Sequence, residues 1–325
     1  MKEQRNDSLD KSRDEKDSHA EQQYYYTVEK EQEGMRLDQF LAAELTEHSR
    51  SYIQKLIKEG RVIVNNKAMK PGGRIQVDDK ILMMVPPLKE LSVLPEEMNL
   101  DILYEDEDVI LINKPKDMVV HPCPGRYSGT LVNGLLAHCQ DNLSGINGVL
   151  RPGIVHRIDK NTTGVLVVCK TDLAHRSLAE QLKEHSITRK YEAIVYNNIS
   201  EEEGMVDAPI GRNPSDRKKM AVEYKNGKRA VTHYRVIDHL NHRFNYIECQ
   251  LETGRTHQIR VHMASIGHPL LGDEIYGPRN GRKGLQGQCL HAKVLGFVHP
   301  RTGEYMEFEA PLPEYFRELL RKLSI

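Results

Sequence analysis

The segment LETGRTHQIRVHMASIGHPLLGD, residues 251–273, decides how the larger part of this chain is read. Leu251 closes a strand-like run that begins at Phe244. Thr256 then stands as a helix N-cap, and Ile259, Met263 and Ile266 form an apolar stripe. Gly267 with Pro269 ends the helix. Arg260 falls beside that stripe, half in the core. A buried guanidinium needs an anion, so the spacing demands a carboxylate partner. A structural salt bridge to any nearby Glu or Asp would meet that demand as well as a reactive group would.

Working outward, RPGIVHRIDKNTTGVLVVCK (151–170) places Asp159 in a polar turn between two apolar segments, with Gly164 closing the turn. Asp is common in turns because its side chain bonds nearby amides. At a strand end beside Arg157 and Lys160, it equally has the setting of a functional carboxylate facing a cleft. ITRKYEA (187–193) starts an apolar strand at Tyr191, where a core aromatic is the simplest reading. Strands are expected at Val109–Asn113, Val165–Cys169, Lys190–Tyr196, Val231–Ile237, Phe244–Leu251 and Lys293–His299. Helices are expected at Thr130–Cys139, Asp172–His185 and Pro313–Leu323. No internal repeat is visible. Strands interspersed with fewer helices point to an α+β domain over residues 99–325, with a mixed or antiparallel sheet.

Composition narrows the classes. The 325 residues suit about two domains. No apolar run approaches the roughly 18–20 residues of a membrane span, and the polar amino terminus lacks a secretory signal. Five scattered cysteines without a CxxC pair argue against a disulfide scaffold or a zinc ribbon and favour a reduced, cytoplasmic setting. No P-loop, dinucleotide fingerprint or GxSxG elbow occurs, so no cofactor is expected. His257, His262 and His268 lack the HExxH pairing, so no metal is expected either. His156-Arg157-Ile158-Asp159 resembles a kinase HRD only superficially, since no DFG accompanies it.

The net charge of −1 hides an asymmetry: residues 1–33 carry 6 basic and 10 acidic side chains, and the remainder carries 40 and 37. Residues 1–23, polar and densely charged, are expected to be disordered. From Gly34, the helical spacing of Leu37, Phe40, Leu41 and Leu45 is followed by Ser49, an N-cap. A second helix then carries Ile53, Leu56 and Ile57 and ends at Gly60. Short strands follow at Val62–Val64, near Arg74–Val77 and at Lys80–Val85, with a turn at Asn65-Asn66. Residues 34–90 hold 10 basic and 7 acidic side chains, the basic ones gathered about the second helix. GMRLDQFLA, SRSYIQKLIKEGRVIVNNK and GGRIQVDDKI, in that order, resemble a small α/β S4-type RNA-binding domain. The resemblance implies Arg36, Ser49, Arg50, Lys55, Lys58 and Arg61 as phosphate contacts, which position RNA without reading its sequence.

Together NKPKDMVVHP (113–122), HRIDKNTTG (156–164), ITRKYEA (187–193) and LETGRTHQIRVHMASIGHPLLGD resemble the RluA/RluD family of RNA pseudouridine synthases, from Gly34 to the end. The resemblance implies an isomerase of RNA modification and rRNA processing. Asp159 would be the catalytic carboxylate, Arg260 its buried partner, and Tyr191 a ring packed on the target base. Base flipping would bring the uridine out of the RNA, at a cost of a few kcal/mol, with Arg157 filling the gap. The basic stretch 211–229, which includes Arg217, Lys218 and Lys219, and the loop with Arg279, Arg282 and Lys283 would add grip on RNA, unless either is a solvated loop. The expected substrate is large-subunit (23S) ribosomal RNA, with transfer RNA an alternative, and the chain is expected to act as a monomer. Two other readings compete: a non-catalytic RNA-binding or ribosome-assembly factor, and a hydrolase. The hydrolase would need a second carboxylate, for which Glu252 is the nearest candidate.

Overall fold

The computed structural model describes residues 21–324 except 46–47, 87–92, 124, 141, 217–218, 279–280 and 282–283. The chain divides into two units between residues 90 and 91. The first is built from β1 (Gln22–Thr27), a 3-10 turn (Lys30–Gln32), α1 (Leu37–Glu44), α2 (Arg50–Lys58), β2 (Val62–Val64), β3 (Lys67–Ala68) and β4 (Lys80–Val85). Leu37, Phe40 and Leu41 on α1 and Ile53, Leu56 and Ile57 on α2 are buried together with Ile75, Ile81 and Met83. Ser49 caps α2, its Oγ accepting the Tyr52 amide at 3.3 Å. Asn65 and Asn66, both left-handed, turn β2 into β3.

Two expectations change here. Residues 1–20 of the expected tail lie outside the described residues, but Gln22 and Gln23 belong to a strand. β1 pairs antiparallel with β4 from Gln22↔Val85 to Thr27↔Lys80, so the unit starts upstream of Gly34. Its alternate tyrosines, Tyr24 and Tyr26, pack on the core, while the strand's backbone pairs with an edge that β4 would otherwise leave open. The strand expected near Arg74–Val77 is reduced to a bridge between Arg36 and Arg74. Ile75 exchanges backbone hydrogen bonds with Gly34 and Met35 instead, and Asp79 Oδ2 accepts the Gln76 amide to close a turn.

The second unit runs β5 (Ile102–Glu105), β6 (Val109–Lys114), α3 (Leu131–Cys139), β7 (Thr163–Cys169), α4 (Asp172–Lys183), β8 (Thr188–Tyr196), β9 (Glu203–Asp207), β10 (Ile210–Arg212), β11 (Met220–Val222), β12 (Val231–Leu240), β13 (Phe244–Leu251), α5 (Gln258–Ser265), β14 (Leu290–Val298), β15 (Tyr305–Glu309) and α6 (Glu314–Leu323). One large sheet has the order β5-β6-β7-β14-β8-β13-β12-β9, with β15 also on β14. β7 and β14 are parallel and the other pairs antiparallel, so the fold is α+β with a mixed sheet. Leu131 and Leu135 of α3 and Leu178 of α4 join the main core with β6 and β7, whereas Phe316 and Leu319 of α6 pack with Ile194 elsewhere on the sheet. β7 is buried along its whole length, which explains its unbroken apolar run. Among the described residues, no helix is long and apolar enough to cross a membrane.

Candidate active site

The turn carrying Asp159 leads directly into β7, closed by a hydrogen bond from the Thr162 amide to the Asp159 carbonyl at 3.0 Å. Gly164 has φ +108°, and a Cβ there would stand 2.1 Å from the Ala292 carbonyl oxygen. Only glycine lets the start of β7 approach β14 so closely. From the other side, Lys114 at the end of β6 is fully buried. Its Nζ donates to the carbonyls of Pro115, Met118 and Lys160 at 2.8, 2.9 and 3.0 Å, so it ties the Asp159 turn to the loop after β6. Burial pulls Lys114 down to about 7, against the opposing pull of Asp159 and Asp117. Lys114 belongs to the NKPKDMVVHP motif, but its burial and its three carbonyl partners leave no mark in the local sequence.

Arg260, on the buried face of α5, meets two carboxylates rather than one. Its Nε and Nη2 donate to Oδ2 and Oδ1 of Asp273 at 2.7 and 2.9 Å, and its Nη1 donates to Oδ2 of Asp159 at 2.7 Å. Asp273 is buried and also accepts the amides of Ile275 and Tyr276. Burial alone would raise Asp273, but Arg260 and those amides hold it below the usual carboxylate range. Both readings of Arg260 therefore meet in one side chain: a structural pair on one edge, Asp159 on the other. Asp273 closes the very segment that decided the fold, yet its pairing leaves no mark in local spacing.

The start of α5 differs from expectation. Thr256 does not cap the helix; His257 occupies the N-cap with a left-handed backbone and makes no side-chain cap bond. The Gln258 amide donates to the Arg255 carbonyl, and its side-chain oxygen accepts the Arg255 amide and the Thr253 hydroxyl, a turn that sets Thr256 ahead of the helix start. Thr256 Oγ1 is left to accept from Arg157 Nη2 at 3.4 Å.

Asp159, Tyr191, His257 and Arg260 line one small pocket of about 60 Å³. Tyr191 is buried in β8, and burial raises its hydroxyl above the ordinary value. A cleft of about 1000 Å³ shares Arg157, Tyr191, Leu251 and Arg255 with that pocket and adds Arg151, Lys183 and Arg189. Arg189 is buried with no carboxylate partner among the described residues, its Nη2 donating to the Glu252 carbonyl at 2.9 Å. Within the strand motif ITRKYEA nothing local marks Arg189 as buried, so its place in the cleft emerges only from the fold.

The remaining residues fall as follows. Arg36 and Arg50 both pair with the buried Asp38, Lys55 stands 3.8 Å from Glu59, and Arg61 pairs with Glu21 at 2.8 Å. Ser49 and Lys58 are exposed on the same unit. Arg217, Lys218, Arg279, Arg282 and Lys283 lie outside the described residues, and Lys219 is half-exposed near Asp216. Glu252 is engaged by Arg229 and His233 at 3.0 and 2.9 Å and does not line the Asp159 pocket, so it is no second acid there. His262 is a satisfied core histidine between Thr232 and the Ala208 carbonyl. Glu105, His138 and Cys139 bring potential metal ligands together. Lys170, however, sits 2.7 Å from Glu105, and burial pushes the Cys139 thiol up to about 11.

Comparison with known proteins follows the same lines as the geometry. Residues 108–265 match the family described as RNA pseudouridylate synthase, and residues 35–81 match the S4 domain. The chain is 56% identical over 297 residues to the uncharacterized RNA pseudouridine synthase YlyB of Bacillus subtilis (strain 168), covering 91% of this chain and 97% of that one. It is 48% identical over 309 residues to the ribosomal large subunit pseudouridine synthase D of Zymomonas mobilis, covering 92% and 97%. The solved structure of human RNA pseudouridylate synthase domain containing 1 superposes with a TM-score of 0.55 at 29% identity, covering 66% of this chain and 84% of that one. The chain belongs to the RNA pseudouridine synthase family. It is an isomerase acting on RNA, with an S4 RNA-binding domain ahead of the catalytic domain.

Proposed function

We propose that this enzyme converts uridines of large-subunit (23S) ribosomal RNA to pseudouridine, with Asp159 as the catalytic carboxylate acting at the sugar of a flipped-out nucleotide. The observation that carries this reading is Arg260 held between a buried Asp273 and a partly exposed Asp159, 2.7 Å from each, beside Tyr191 in one pocket. An arginine fixed on one edge orients the carboxylate on its other edge before the substrate arrives, the preorganisation that a charge-developing step needs. Tyr191 packs against the base. Arg157, at the junction of pocket and cleft, fills the gap left by the flipped uridine. The choice of ribosomal RNA is supported by the similarity to the Zymomonas relative, a ribosomal large subunit pseudouridine synthase D.

Arg36, Ser49, Arg50, Lys55, Lys58 and Arg61 serve as phosphate contacts of the S4 domain, and Lys219, with Arg217 and Lys218, adds to the grip in the catalytic domain. The reaction exchanges one ribose–base bond for another, so it requires no cofactor, and the enzyme works as a cytoplasmic monomer with its cysteines free. The test is tritium release from RNA labelled at carbon 5 of uridine, comparing unmodified 23S ribosomal RNA with bulk transfer RNA. Release from the ribosomal RNA by the wild type supports the reading. Release confined to transfer RNA would move the substrate, and salt-sensitive binding without release would leave a binding factor.

A further inference from the structure

The proposed chemistry leaves His257 without a task, although it lines the Asp159 pocket. It stands at the N-cap of α5 with φ +58°, a left-handed backbone that a side chain other than Gly or Asn adopts at some cost. Its ring is held at Nδ1 by the Tyr276 hydroxyl at 2.8 Å, with the two rings edge to face. Tyr276 Oη already accepts the Met220 amide at 2.9 Å, which frees its own hydrogen for His257 Nδ1. Nδ1 is then the acceptor, and the neutral imidazole carries its proton on Nε2. Burial lowers His257 below its ordinary value, Asp159 pulls the other way, and Arg260 adds to the lowering. Nε2 lies 3.8 Å from Oδ2 of Asp159. That is too far for a hydrogen bond, so the donor is not consumed by the carboxylate.

We propose that His257 donates its Nε2–H to the uracil carbonyl oxygen that flanks the bond being broken and remade. The proposal rests on the reading of Asp159 as the group that acts at the sugar. In uridine the carbonyl beside the glycosidic nitrogen is O2. When the C1′–N1 bond breaks, its electron pair leaves with the uracil and spreads over N1 and the carbonyl oxygens. A neutral donor at O2 stabilises that charge as it grows. Uracil is nearly two-fold symmetric about the line through N3 and C6. The rotation that brings C5 to C1′ therefore exchanges O2 for O4, and the same donor meets O4, the carbonyl beside C5. Once the C1′–C5 bond forms, C5 loses one proton and N1 gains one, so the sequence balances without a co-reactant. One fixed donor serves both orientations. Cytosine would set an amino group against that donor after rotation, so the same contact also selects uracil.

The test uses single-turnover tritium release from saturating 23S ribosomal RNA labelled at carbon 5, with wild type, His257→Gln and His257→Asn. Gln places an amide N–H where Nε2 of the histidine lies; Asn reaches only as far as Nδ1 but suits the left-handed backbone better. The expected result is a rate lower by roughly 10- to 100-fold for His257→Asn, with RNA affinity little changed, and recovery of most of that loss in His257→Gln. An active wild type with His257→Asn equal to or faster than His257→Gln overturns the proposal alone, because the residue would then serve only the backbone. A silent wild type overturns the reading of the pocket and this proposal with it. Nitrogen NMR of the free enzyme gives a readout apart from activity: a proton on Nε2 at neutral pH is expected, and one on Nδ1 overturns the assignment.

Discussion

Asp38 and Arg260 each anchor a charge cluster, one in each unit, built with opposite signs at the centre. The Asp38 carboxylate is wholly buried and accepts from Arg36, Arg50 and Gln54, while the two arginines stay 43% and 46% exposed. Arg260 is 6% exposed and takes Asp273, wholly buried, together with Asp159, 26% exposed. In both clusters the buried ion is satisfied several times over, and what it presents to solvent is its opposite. The first offers cations, suited to phosphate oxygens; the second offers a carboxylate, suited to a reacting sugar. A buried ion stripped of its partners is costly, so each cluster keeps a retained partner and lends another.

Removing the lent partner in the catalytic unit is the severest test. Asp159→Asn leaves Asp273 on Arg260, so tritium release should fall at least about 10³-fold while the thermal midpoint stays nearly unchanged. A matching collapse of the midpoint would show that Asp159 is structural. Asp273→Asn removes the retained partner instead, and denaturant titration should register a loss of about 3–5 kcal/mol. An unchanged midpoint would mean that Arg260 does not depend on Asp273. Asp38→Asn is the counterpart in the other unit. Its arginines are half-exposed and can rehydrate, so about 2–3 kcal/mol is expected. RNA affinity should weaken there with turnover at saturating RNA preserved; lost turnover would contradict the division of labour.

Acid sharpens the same comparison. Burial alone would raise Asp38, but hydrogen bonds from Arg36, Gln54 and Arg50 hold it well below its ordinary value, and Asp273 is lowered likewise. Each carboxylate therefore contributes stability that is complete above the unfolded value near 3.8 and is lost as pH falls through the lower folded value. Stability should drop below about pH 4, and Asp38→Asn should flatten part of that slope; parallel curves for the two proteins would refute the contribution. The smallest effect belongs to the exposed Lys58. If it touches one phosphate, Lys58→Gln lowers RNA affinity a few-fold and reduces the salt slope by about 1. An unchanged slope removes it from the contact set.

Much of the fold was legible because helical and strand periodicities are local. The helix expected at Thr130–Cys139 runs Leu131–Cys139 with Thr130 as its cap, and the strand expected at Phe244–Leu251 has those bounds. β1 was not legible: QQYYYT offers tyrosines with no aliphatic alternation, and its partner β4 lies some sixty residues further on. At the site, motif order singled out Asp159, Tyr191 and Arg260, and the structure brings all three to one pocket. Asp273, Lys114 and Arg189 were missed because their weight comes from burial and from partners chosen by the fold. The misplaced cap at Thr256 has a similar origin, since the turn closed between Arg255 and Gln258 sets it ahead of the helix and Arg157 engages its hydroxyl.

The sequence alone determined many of the helices and strands and the family to which the motifs belong, since these are written in short-range spacing and order. Only the tertiary structure decided which charges meet. Arg260 and Asp159 are 101 residues apart, and their pairing exists because β7 and α5 converge at the pocket. Whether a cation is presented or buried, and which of two carboxylates it retains, depends on distances and desolvation that arise only after the chain has packed.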